Sequence, residues 1–184
     1  MARVGLVVVS HSRALADAAV ELAREMLQGP QTAVDVALEV AAGLDDGALG
    51  TDATAILDAL TAADSGDGVV VLMDLGSAVL SAELALELLD DEARERVVLC
   101  AAPLVEGLVV AAVQAAGGAT RDAVAAEALD GLAGKQAHLG PAPQAHAPEA
   151  PDDGEASVEG SFVVGNPHGL HARPAARLVQ EAAA

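Results

Sequence analysis

The chain has 184 residues, room for one full domain and part of another, and is 53% hydrophobic but only 1% aromatic, with Phe162 its single aromatic residue. Nine basic residues against 28 acidic ones give a formal charge of −19. That balance argues against nucleic acid as a partner, since counterion release needs a basic surface and base stacking needs aromatics, and it disfavours an anionic membrane.

The first expected element is a strand over residues 3–9, nearly all apolar as in a central parallel strand covered on both faces. Its uncharged stretch, residues 5–9, is too short for a signal-peptide core. Ser12 then caps a helix over about 13–27, with Leu15, Ala19, Leu22 and Met26 expected on the buried face, and Gly29-Pro30 ends it. A second strand is expected over 32–40, with Val34, Val36, Leu38 and Val40 on one face. A Gly/Asp-rich loop over 41–50 follows, and then a helix capped at Thr51 or Asp52 and running to about Ala63.

Ser65-Gly66-Asp67-Gly68 turns into a third strand over 69–73, and Asp74-Leu75-Gly76-Ser77 leads into a helix reaching about Leu89. The fourth strand covers 97–101 and contains the lone cysteine, Cys100, which can form no internal disulfide and fits a reducing compartment. A helix over 103–116, a Gly117-Gly118 break and a helix opening at Thr120 complete the pattern. The uncharged run 107–120 falls short of a membrane span and holds Gln114, Gly117 and Gly118, so it reads as a buried helix. A cytoplasmic protein is the expectation.

Strands alternating with helices over 1–133 predict an α/β domain with an open parallel sheet flanked by helices, whose ligands gather at the carboxyl ends of the strands. From 134 to 156, Pro141, Pro143, Pro148 and Pro151 fall among Ala, Gln, His, Asp and Gly with no apolar period, the pattern of a linker. His138 and His146 in it lack partners at metal-ligand spacing, and no metal or other cofactor is expected. Residues 157–184 then read as a strand over 157–165 and a helix over 174–184, an incomplete α+β segment.

Two histidines stand where a strand or loop gives way to a helix. His11, in Ser10-His11-Ser12, is expected at the carboxyl edge of the sheet, where the first N–H groups of a helix have no intrahelical partner and favour an anion. A neutral imidazole there is a competent nucleophile toward a phosphoryl group, with Ser12 and the Arg13 cation beside it. Asp74 holds the equivalent position on the third strand. If the first and third strands are neighbours, its carboxylate can hold one imidazole nitrogen and leave the other to react. Gly76 and Ser77 add backbone donors and a hydroxyl. His171, in Gly169-Leu170-His171-Ala172-Arg173-Pro174, lies beside a second helix start, with the Arg173 guanidinium able to grip phosphate oxygens. On spacing alone, His11 reads equally well as a helix-cap residue without chemistry, and Asp74 taken in isolation reads more readily as a helix N-cap at a strand end. No Gly-x-Gly-x-x-Gly or Walker-type Gly-Lys-Ser/Thr occurs, so nucleotide binding by this chain is not supported, and Asp45-Asp46-Gly47 and the pair Asp64/Asp67 read as turn residues.

The segment from Gly169 to Ala176 closely resembles the active-site motif of the histidine-containing phosphocarrier of the bacterial phosphoenolpyruvate phosphotransferase system. The first 130 residues resemble the mannose-type IIA family, most closely the phosphotransferase subunit of phosphoenolpyruvate-dependent dihydroxyacetone kinase. That resemblance is carried by Ser10-His11-Ser12, Gly43-Leu44-Asp45-Asp46-Gly47 with Gly50-Thr51, Asp74-Leu75-Gly76-Ser77-Ala78, and Ala102-Pro103-Leu104-Val105-Glu106-Gly107. It implies that His171 accepts phosphate on Nδ1 from the general phosphotransferase proteins and that His11 receives it on Nε2, with Asp74 assisting. His11 would then deliver it to ADP on a nucleotide-binding kinase subunit while a third subunit holds dihydroxyacetone. It also implies a homodimer. Two other functions fit the same residues, a IIA component feeding a mannose-type sugar permease and a phosphorylation-dependent regulatory module.

One departure stands out. The phosphocarrier fold alternates four strands with three helices, and this sequence ends within the first helix. A lone strand and helix bury too little apolar surface to offset ordering entropy, so the expectation is that 157–184 is unfolded or loosely held, that His171 is poor or inert here, and that the sequence is a fragment of a longer protein.

Overall fold

The computed structural model describes residues 3–28, 36–45 and 47–140. His146, His171, Arg173, the linker beyond residue 140 and the expected strand and helix of 157–184 lie outside the described residues.

Strand β1, Gly5–Ser10, is buried at every position. It is followed by α1 (Arg13–Met26), β2 (Leu38–Ala42), α2 (Ala53–Ala63), β3 (Val69–Met73), α3 (Gly76–Glu87), the short α4 (Asp91–Glu95), β4 (Val97–Cys100), α5 (Leu104–Ala116), α6 (Arg121–Leu129), a 3₁₀ turn (Asp130–Leu132) and α7 (Ala133–Leu139). The four strands form one parallel sheet in the order β2-β1-β3-β4. The expected open parallel sheet with flanking helices is therefore what the chain forms. The chain leaves β1 toward β2 on one side and later returns to place β3 on the other, so a crevice opens between β1 and β3 at their carboxyl ends.

The central strands, β1 up to Val9 and β3, are apolar on both faces because helices cover both. Leu6, Val8, Val70 and Leu72 pack with α1, α5 and α6, whereas Val7, Val9, Val69 and Val71 pack with Ile56, Leu60, Ala78 and Ala85 of α2 and α3. Each fully buried Val, Leu or Ile contributes roughly 1.5–3 kcal/mol relative to exposure, and such side chains form the core without an aromatic. Gly5 lets α2 close on β1, because a Cβ there would stand 2.2 Å from the Ala63 carbonyl oxygen. Among the described residues no helix is long and apolar enough to cross a membrane.

The expected buried face of α1 is overturned. Leu15, Leu22 and Met26 are exposed, and the helix meets the core through Ala16, Ala19, Val20 and Ala23. Small side chains let α1 lie close to the sheet, a choice that pattern reading weighted toward large residues inverts. Strand β2 runs to Ala42, taking in the first residues of the expected loop. The helix expected to reach Leu89 ends at Glu87 and is followed by α4, whose charged sequence Asp91-Glu92-Ala93-Arg94-Glu95 has no apolar period and was not foreseen. It is held by its Asp90 cap, which accepts from the Ala93 N–H at 2.8 Å. The linker expected from residue 134 begins instead as helix, since α7 covers Ala133–Leu139, with Lys135 paired to Glu106 of α5. The turn reading of Asp64 agrees with its bond from the Gly66 N–H at 2.9 Å, and it also pairs with Arg96 at 2.8 Å.

Candidate functional site

The register of β1 against β3 runs from Gly5 opposite Val69 to Val9 opposite Met73. One residue further, Ser10 and Asp74 emerge side by side, with the Asp74 N–H bonded to the Val9 carbonyl at 3.2 Å. The conditional expectation that these strands are neighbours is met, and it brings the Asp74 carboxylate to the base of the His11 ring.

Asp74 is held from four directions. Its Oδ1 lies 2.9 Å from His11 Nδ1 and accepts from the Leu75 N–H at 2.7 Å. Oδ2 accepts from the His11 N–H at 2.8 Å and the Ser10 hydroxyl at 2.9 Å. Burial opposes the charge most strongly, but the bonds from the His11 ring, the His11 N–H, the Ser10 hydroxyl and the Leu75 N–H outweigh it. Together they hold the Asp74 carboxyl below the ordinary aspartate value. An ionised carboxylate can only accept, so His11 Nδ1 carries the proton and donates it. The lone pair is then on Nε2, and the Ser77 hydroxyl, 2.9 Å away, donates to it.

The side chain of His11 is 20% exposed and that of Asp74 is 9% exposed, so the carboxylate is sheltered while the ring edge opens outward. Ser77 is the second residue of α3, and the Leu75 cap of that helix makes no side-chain hydrogen bond to its first turn. An anion on Nε2 would therefore meet a hydroxyl and the positive end of a helix whose first amides no side chain occupies. The arrangement suits a nitrogen nucleophile with a fixed tautomer and a preformed anion cradle.

The other expected site residues fall differently. Gly76 opens α3 with open space where its Cβ would be. The Ser12 hydroxyl caps α1 by accepting from the Leu15 N–H at 3.3 Å. The bonds of Arg13 run along α1 and not to His11 or Asp74. Its Nε is bound by both Asp17 carboxylate oxygens, at 2.8 and 3.0 Å, one turn along α1. The nearest carboxylate at helical spacing captures the cation.

Sequence reading assigned no role to Ser10, which is completely buried. Besides bonding Asp74, its hydroxyl oxygen accepts from the Ser12 N–H at 3.1 Å, so it locks the backbone on both sides of His11. Two loop amides complete that lock, with Gly43 donating to the Ser10 carbonyl at 3.2 Å and Gly50 to the His11 carbonyl at 2.9 Å. The available signal was its place, since a serine one step past a buried valine run must find a polar partner.

Residues 5–125 match the family model described as PTS system fructose IIA component, of the EIIA-man type, and residues 158–184 match the PTS HPr component phosphorylation site. The chain is similar to proteins named as the phosphoryl donor subunit DhaM of phosphoenolpyruvate-dependent dihydroxyacetone kinase. It is 49% identical over 182 residues to that of Pantoea ananatis, covering 96% of this chain and 37% of the relative. It is 44% identical to that of Escherichia coli K12, again covering 96% and 37%. A shorter relative from Listeria innocua is 37% identical over 124 residues, covering 67% of this chain and 95% of the relative. The chain thus spans little more than a third of the length of the two longer relatives. A crystal structure of a protein of unknown function superimposes with a TM-score of 0.61 at 33% identity, covering 70% of this chain and 94% of the other.

Proposed function

The chain belongs to the DhaM family of phosphoryl donor subunits, built on a mannose-type IIA domain, and from that premise we propose that His11 carries a phosphoryl group on Nε2 and gives it to ADP held by a kinase partner subunit. The single observation that carries this reading is the line Asp74–His11–Ser77, in which a carboxylate holds Nδ1 and a hydroxyl at an open helix start faces Nε2.

In the loading step the Nε2 lone pair attacks phosphorus on a donor phosphohistidine. The Nε2–P bond forms, the donor N–P bond breaks, and the donor imidazole leaves. The donor is the His171 site of a phosphocarrier domain or a general phosphotransferase protein of the same chemistry. The Nδ1 proton stays on the ring, and Asp74 offsets the positive charge that the ring acquires. Ser77 turns its hydroxyl from the nitrogen to a phosphoryl oxygen, joined by the first amides of α3 with Gly76 leaving room.

In the unloading step a terminal oxygen of the nucleotide diphosphate attacks the same phosphorus and Nε2 leaves as neutral imidazole. The attacking oxygen is already anionic, so this site needs no general base. The partner then holds a nucleoside triphosphate from which dihydroxyacetone is phosphorylated on a further subunit. The same reading makes the protein cytoplasmic and a homodimer, with the half-buried Val97, Val98 and Leu99 of edge strand β4 available to a second copy.

The test is to incubate the protein with phosphoenolpyruvate and the general phosphotransferase proteins, then add the ADP-loaded kinase subunit. An acid-labile, base-stable phosphate should appear on the chain and leave it as ATP forms. If His11→Ala still passes phosphate onward, the assignment is wrong.

A further inference from the structure

Beside the His11 ring the carboxyl edge of the sheet carries an apolar rim that phosphoryl chemistry alone does not require. Leu44, Leu49 and Leu75 are 42%, 69% and 54% exposed. The backbone ties all three to the site. Leu75 follows Asp74 and donates its N–H to Oδ1. Leu49 precedes Gly50, whose N–H donates to the His11 carbonyl. Leu44 covers Gly50 so closely that a Cβ there would stand 2.9 Å from its Cγ and Cδ1. Next to Leu44 opens a cleft of about 640 Å³ whose lining includes Asp45, Asp52 and Asp58 and no basic side chain.

Charge decides what can cover this face. Phosphoryl transfer to a nucleotide diphosphate brings two anions into contact. On this side the donors bonded to or opening toward His11 are neutral, the Ser77 hydroxyl and the α3 amides, while Arg13, the nearest cation in sequence, is exposed and has its Nε against Asp17. The cations that offset the combined charge must then come from the partner, where a nucleotide diphosphate already demands them. A basic collar around that nucleotide complements the acidic cleft, which favours encounter in the productive orientation. The leucines supply what charge cannot, a dry contact that excludes water from a hydrolysable N–P bond.

We infer that Leu44, Leu49 and Leu75, with the flanking Asp45 and Asp58, form the docking surface for the nucleotide-holding kinase subunit, whose matching face is an apolar depression bordered by Arg or Lys side chains. This rests on the phosphoryl-donor reading above. It adds the surface and the chemistry of what fits it.

The experiment uses the full chain with Leu49→Ser, with Leu44→Ala, and with the pair Asp45→Lys and Asp58→Lys, all at exposed or cleft-lining positions. Each variant is loaded from phosphorylated general phosphocarrier, the phosphohistidine level is measured, and transfer is followed against increasing ADP-loaded kinase subunit. Loading should reach the wild-type level. The KM for the kinase subunit should rise about tenfold or more with kcat changed by no more than about twofold, the pattern of lost docking. The charge pair should also flatten the dependence of transfer on salt, and Leu49→Met should restore the wild-type KM. An unchanged KM in all three variants overturns the surface, and so does a defect confined to loading, which assigns the rim to the donor instead. If the wild type itself loads but transfers nothing to the kinase subunit, the functional reading beneath it has failed, a result distinct from wild-type transfer that the variants share.

Discussion

Two strand-to-helix junctions meet at the crevice, and they are built in opposite ways. At the β1–α1 junction the helix start is closed, because Ser12 caps α1 with its own hydroxyl and Ser10 fastens the backbone around His11. At the β3–α3 junction the helix start is open, since Leu75 provides no side-chain cap and Gly76 leaves space above the first turn. The first presents an imidazole and holds it still. The second presents a carboxylate to that ring and a helix start that its cap side chain leaves unbonded. A site for transient phosphoryl residence needs both, because a nucleophile beside a closed helix start would have no cradle for its adduct, and an open one without a fixed ring would have no acceptor atom.

Substitutions can break this division of labour in order of expected effect. His11→Ala should reduce onward transfer to the ADP-loaded kinase subunit to background, measured as ATP formed. Asp74→Asn keeps the shape but no longer fixes the proton on Nδ1 or offsets the ring charge, so transfer should fall roughly 10²-fold or more, read by rapid-quench phosphate transfer. Ser77→Ala removes one donor while leaving the helix amides, and a loss of about 10- to 100-fold is expected in the same assay, the range for a hydrogen bond to a charged group.

Ser10→Ala sharpens the closed side of the comparison. It deletes one of the bonds that depress the Asp74 carboxyl, whose value should move back up. Since the folded carboxylate titrates below its unfolded value, its stabilising effect is full above about 3.9 and is lost as pH falls through the folded value. Removing a bond raises that folded value. The acid-unfolding midpoint followed by circular dichroism should therefore shift to higher pH, whereas Ser10→Thr, which keeps the hydroxyl, should hold it near wild type. Smallest of all, Ser12→Ala should cost about 1 kcal/mol in denaturant melts through loss of a helix cap. If it slowed transfer as much as Ser77→Ala, the contrast between the closed and open helix starts would be wrong.

The strand-helix alternation and the two central strands were readable because burial on both faces leaves runs such as Val69 to Met73 without polar residues. The pairing of His11 with Asp74 was readable only conditionally, as two strand-end positions that meet if β1 and β3 are adjacent. Where side-chain size competed with packing distance, the reading failed, and α1 turned its alanines inward and its leucines out. Helix α4 was missed because it is fastened by a cap rather than by an apolar stripe. The pairing of Arg13 with Asp17 was legible, since the two stand one turn apart on the expected helix.

The amino-acid order by itself determined the alternation of elements, the chemical types at the two helix starts and the strongly anionic character of the chain, since these follow from local periodicity, capping chemistry and composition. Only the folded arrangement decided that Ser10 supports Asp74 and that Ser77 faces Nε2. Each of those depends on the register of two parallel strands separated by more than sixty residues in sequence, set by the joint burial of both sheet faces and by no neighbouring residue.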